Sequence, residues 1–101
     1  MKLVIVTVVV EFQQDVLKLF KKANIENFSS SEIDGYKNKA AILNVANWFS
    51  GENIATESSM FFSFTEDNQI DLLFKLVKKF NSNLETNNPV RAIVLPIERF
   101  I

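Results

Sequence analysis

Lys2-Leu3-Val4-Ile5-Val6-Thr7-Val8-Val9-Val10 decides the fold, because seven of its nine residues are branched at Cβ and the run stops abruptly at Glu11-Phe12-Gln13-Gln14-Asp15. Branching at Cβ stiffens χ1 and favours extended backbone, so the run reads as a strand that hands over to a helix. A half-buried strand would alternate apolar and polar positions. Here Leu3, Ile5 and Val9 on one face are matched by Val4, Val6, Val8 and Val10 on the other. Both faces therefore need a cover, and the rest of the chain has to supply two.

Working outward, Val16, Leu17, Phe20 and Ala23 fall at helical spacing over 14–24, with Lys18, Lys21 and Lys22 opposite. Asp15 in the first turn and lysines in the last suit the helix dipole, and Asn24 can end the helix. Residues 25–36 alternate loosely around Ser29-Ser30-Ser31, which predicts a polar strand at a sheet edge, opened by Ile25. Residues 37–59 are neither cleanly helical nor cleanly extended, and connections of that length are commonly functional. Met60-Phe61-Phe62-Ser63-Phe64 predicts a second central strand, apolar on both faces. Thr65 or Asp67 can cap a following helix with the stripe Ile70, Leu73, Phe74, Val77 and Phe80. Residues 81–88 read as a polar loop and 90–97 as a last strand, whose Pro96 requires an edge or a bulge.

Composition bounds the function. A chain of 101 residues with two Gly and two Pro is a single domain, 1–101, without an apparent linker. Eleven Lys and Arg against twelve Asp and Glu leave no basic field for nucleic acid. With no Cys and no His there is no thiolate, no imidazole base and no soft metal site, which removes most enzyme mechanisms. The N-terminal apolar run falls short of the roughly 18 residues of a membrane span and carries no cleavage signal, so a cytoplasmic protein that is not membrane-embedded is expected.

Strand, helix, strand, strand, helix, strand, joined by right-handed crossovers, predicts an α+β ferredoxin-like βαββαβ sandwich: a four-stranded antiparallel sheet with both helices on one face. The other face would expose apolar side chains from the first and third strands, so self-association through it is expected.

Glu32-Ile33-Asp34-Gly35-Tyr36 and the closing Val94-Leu95-Pro96-Ile97-Glu98-Arg99-Phe100-Ile101 resemble the PII (nitrogen regulatory protein) signal-transduction family, together with the strand from residue 2 and Phe12 before the first helix. In that family the second strand ends in a Gly-Phe pair that begins the long T-loop. The resemblance implies a homotrimer cored by the uncovered sheet faces. It also implies intersubunit clefts that bind an adenine nucleotide, and a loop that recognises a target such as a membrane transporter or an enzyme. The chain departs from the pattern at several points. Lys37-Asn38-Lys39 replaces the family's Gly-Arg-Gln with its metal-orienting Gln, and Tyr36 is the only Tyr, so no modifiable loop Tyr exists. The glycine-rich phosphate loop aligns with Leu84-Glu85-Thr86-Asn87-Asn88-Pro89-Val90, which has no Gly and carries an acid. Arg91 keeps the basic position, while the arginines that complete the family's cleft fall beyond Ile101. These losses argue against ordinary ATP binding, so no cofactor is expected.

The resemblance places Gly35, Tyr36, Lys37, Lys39 and Arg91 at an anion or small-ligand cleft, against the plainer reading of solvated charges. Trp48 and Phe49 either anchor a partner, or tuck into the trimer or stabilise a longer hairpin. Glu11, Glu32, Asp34, Glu52, Glu57 and Glu66 read as solvated surface charge, and no metal ligands and no catalytic residues are assigned. The function expected is non-enzymatic regulation and signalling through residues 37–59. The alternative is small-ligand or divalent-metal handling on the trimeric architecture of the divalent-cation-tolerance (CutA-like) family.

Overall fold

The computed structural model describes residues 1–36, 55–85 and 87–101. The first strand, β1 (Lys2–Val9), passes through a short 3₁₀ turn (Val10–Phe12) into α1 (Gln13–Lys22). Strands β2 (Ser29–Tyr36) and β3 (Ala55–Thr65) follow, then α2 (Asp67–Ser82) and β4 (Arg91–Pro96). The sheet runs β2-β3-β1-β4 with antiparallel neighbours, so the two most apolar strands are central and Pro96 ends an edge strand. This is the expected α+β ferredoxin-like sandwich. Among the described residues, no helix is long and apolar enough to cross a membrane.

Register assigns each face. Val4, Val6 and Val8 point under the helices with Phe61, Ala92 and Val94, and meet Val16, Phe20, Leu73 and Val77 in one core. The opposite face carries Leu3, Ile5, Val9, Met60, Phe62, Phe64, Ile93 and Leu95 in one register. No element of the described chain covers it: Phe64 is 56% exposed, Ile93 51% and Leu95 44%.

Four expectations about the strands need correction. Val10 does not extend β1; it opens the 3₁₀ turn and is exposed. Ile25 does not open β2. Asn24 adopts φ 61°, and its N–H and that of Ile25 donate to the carbonyls of Lys21 and Phe20 at 3.0 Å each. That is a Schellman stop for α1, with Ile25 as its buried apolar contact. β3 begins at Ala55, so 55–59 belong to a strand rather than to a loop. Its helix-side face is also not purely apolar, because Ser59, Ser63 and Thr65 are buried there beside Phe61.

Those buried hydroxyls all have partners, as buried polar groups require. Ser59 Oγ donates to Gln13 Oε1 at 3.1 Å, Ser63 Oγ to the Asn27 carbonyl at 2.6 Å and Thr65 Oγ1 to Gln69 Oε1 at 2.7 Å. Gln69 Nε2 then donates to the Asn24 carbonyl at 2.6 Å, tying the start of α2 to the end of α1. Neither Thr65 nor Asp67 caps α2; Glu66 is the N-cap residue, without a side-chain cap bond. Asp67 instead pairs with Lys2 Nζ at 2.8 Å. That hydrogen bond, with the opposite charge, holds the Asp67 carboxyl below the usual carboxylate range and raises Lys2.

Candidate functional site

The sheet face left open by the helices ends in a cleft at the C-terminal end of β1. Register brings Ile33, Ser58 and Val9 into one row across β2, β3 and β1, and sets Thr7 directly opposite Arg91 of β4. With Gly35 and the turn residues Asn87, Asn88 and Pro89 they line a cavity of about 190 Å³.

Arg91 owes its place to a side-chain clamp just before β4. Asn81 Nδ2 donates to the Val90 carbonyl at 2.8 Å, and the Val90 N–H donates to Asn81 Oδ1 at 2.9 Å. The amide thus does for Val90 what a neighbouring strand would do, and Val90 itself is 2% exposed. Arg91 follows it and takes part in no ion pair among the described residues.

Gly35 is not demanded by its backbone. A Cβ there would meet Ser58 Oγ at 3.5 Å and the Thr56 carbonyl at 3.6 Å, ordinary van der Waals distances. Its effect is to leave room beside Ser58.

Of the residues assigned from sequence, the structure brings Gly35 and Arg91 together. Tyr36 is next to Gly35 but pairs with Ala55 on the opposite face of the ribbon, is 67% exposed, and does not line the cleft. Lys37, Lys39, Trp48 and Phe49 lie outside the described residues. Thr7, Ser58 and Pro89 line the cleft and were not assigned. Thr7 carried a signal, as the one polar residue inside the run 3–10.

Behind the cleft, on the helix-side face of the β2–β3 ribbon, lies a second hollow of about 410 Å³ lined by Glu32, Asp34 and Glu57 with Gln13 and Ser59. Asp34 and Glu57 are direct cross-strand partners, and none of the three carboxylates has an ion-pair partner among the described residues. Like charges opposite one another are destabilising by several tenths of a kcal/mol. No three His, Cys, Asp or Glu among the described residues are arranged to hold a metal ion. One guanidinium, two hydroxyls and a turn backbone suit the cleft to holding a small polar or anionic group, and among the described residues no carboxylate or imidazole lines it.

No protein-family model matches this sequence, and no curated protein matches it. Among solved structures, the chain is similar to CPII, a nitrogen regulatory PII-like protein from Thiomonas intermedia K12, solved bound to ADP, AMP and bicarbonate. The TM-score is 0.62 over 99% of this chain and 94% of that one. The chain has the PII-like fold. At 10% identity the likeness is one of architecture. In the PII-like fold of this chain the sheet face opposite the helices is apolar and the cleft opens on that same face.

Proposed function

We propose that this chain is a non-enzymatic regulatory module that works as a homotrimer. It holds a small ligand beside Gly35 and Arg91 and presents the segment between β2 and β3 to a partner protein. The observation that carries this reading is the uncovered sheet face. Eight large apolar side chains from three strands share it, more than a soluble monomer usually leaves to water. A cyclic trimer gives each copy the same cover and closes on itself, leaving no open edge to propagate. The PII-like fold supports the regulatory role. The ligands named for the PII-like neighbour, ADP, AMP and bicarbonate, supply the first compounds to screen. Size-exclusion chromatography with light scattering should give three times the 11.6 kDa chain mass at micromolar concentration. A monomer mass would refute the scaffold. Thermal-shift screening against those ligands, ATP and divalent metals then asks what the cleft takes, and a response to metal alone would favour the metal-handling alternative.

A further inference from the structure

The cleft and the carboxylate hollow occupy the two faces of one ribbon. Asp34 sits between the cleft residues Ile33 and Gly35, and Glu57 precedes Ser58. Successive Cα atoms are about 3.8 Å apart, which puts these carboxylates within roughly 8 Å of the cleft, about one Debye length at physiological ionic strength. Among the described residues that line the cleft and the hollow behind it, three are acids and one, Arg91, is a base, while Lys37 and Lys39 lie outside the described residues.

Folding does not reward that arrangement. Asp34 and Glu57 face each other across the ladder as like charges, and neither is relieved by an ion pair among the described residues. The field they set up reaches the cleft, where it penalises a ligand in proportion to its negative charge.

From this we infer that the cleft selects ligands of low negative charge, with Arg91 supplying one positive contact and Glu32, Asp34 and Glu57 setting the upper limit. A monophosphate or a carboxylate is accepted, and each added phosphate is penalised. The inference rests on the reading of this cleft as a ligand site.

AMP, ADP and ATP test it, because they share a base and a sugar and differ in phosphate number. Isothermal titration of the full chain, without divalent cations, should show affinity falling from AMP to ATP. In the double variant Asp34→Asn/Glu57→Gln, both exposed positions, the ratio of ATP to AMP association constants should rise by roughly three- to tenfold, the size expected for two charges removed at about 8 Å. Higher salt should shrink that difference. Three outcomes would overturn the inference: native protein binding ATP as tightly as AMP, a ratio unchanged in the variant, or no binding of any of the three by either protein. Light scattering on the same samples keeps the two readings apart. A monomer mass sinks the trimer scaffold, whereas an unchanged ratio in a trimer sinks the charge limit alone.

Discussion

Replacing Asn81 by Ala removes both halves of the clamp that stands in for a strand beside Val90. The two bonds lost are 2.8 and 2.9 Å long and both end on backbone groups of a residue that is 2% exposed. A net hydrogen bond contributes about 1 kcal/mol, and a buried backbone group left without a partner costs about 1–3 kcal/mol. Asn81 is half-buried, so water can reach part of the vacated site, and the lower figure applies to each bond. The expected loss is about 2 kcal/mol, which for a domain of this size lowers Tm by roughly 8–16 °C. Urea denaturation at one fixed protein concentration measures it, since self-association would make stability concentration-dependent. Asn81→Asp separates the two bonds: it keeps an acceptor for the Val90 N–H but sets a carboxylate oxygen against the Val90 carbonyl, so protonating that carboxylate in acid should recover part of its loss. If Asn81→Ala changed stability by less than about 0.5 kcal/mol, the ordinary range for an inert surface site, the clamp would not be what orders the start of β4. The placement of Arg91 would then need another cause.

Two further outcomes follow from the geometry. Gly35→Ala should leave stability within about 1 kcal/mol of native, because the added Cβ meets only ordinary contacts at 3.5 and 3.6 Å. It should nevertheless weaken ligand binding in a titration by filling the cleft, and a variant that binds unchanged would remove Gly35 from the site. Asp67→Asn should lower Tm at neutral pH, by an amount that vanishes in acid. The Asp67 carboxyl is held below its usual value, so its stabilisation is present above the unfolded pKa of about 3.9 and is lost as pH falls through the folded value. Lys2 is raised, so its share persists to alkaline pH and is lost as pH climbs through its folded value, above about 10.4. A Tm difference of the same size at pH 7 and pH 2 would show that the pair is not its source.

The fold was legible wherever one physical signal was strong enough to act alone. The β-branched run specified β1, and the apolar stripes specified both helices. Asn24 stopped α1 because a short polar side chain tolerates the left-handed backbone that the Schellman turn needs. The half of β3 over Ala55–Ser59 was not legible. Ala-Thr-Glu-Ser-Ser has little intrinsic preference for a strand, and the segment is extended because the ladder to β2 holds it, from Ala55 against Tyr36 to Ser59 against Glu32. Pairing of that kind is a property of the partner strand, so no local window contains it.

The candidate site divides along the same line. Gly35 and Arg91 came from a family resemblance, and Thr7, though not assigned, carried a signal as the polar residue in an apolar run. Ser58 could not be found, because it lies in the stretch whose strand character depends on pairing. Tyr36 missed the cleft by the alternation of side chains along a strand, which sends neighbours 35 and 36 to opposite faces. That alternation also exposes an inference the sequence permitted and composition obscured. Glu32 and Asp34, two apart in a strand, must share a face, and only the register that adds Glu57 opposite Asp34 turns two solvated acids into a three-carboxylate wall behind the cleft. Charge at this site therefore belongs to the hairpin rather than to any one segment of it. On the charge limit inferred above, replacing Glu57 would alter what the cleft accepts without altering a single residue that lines it.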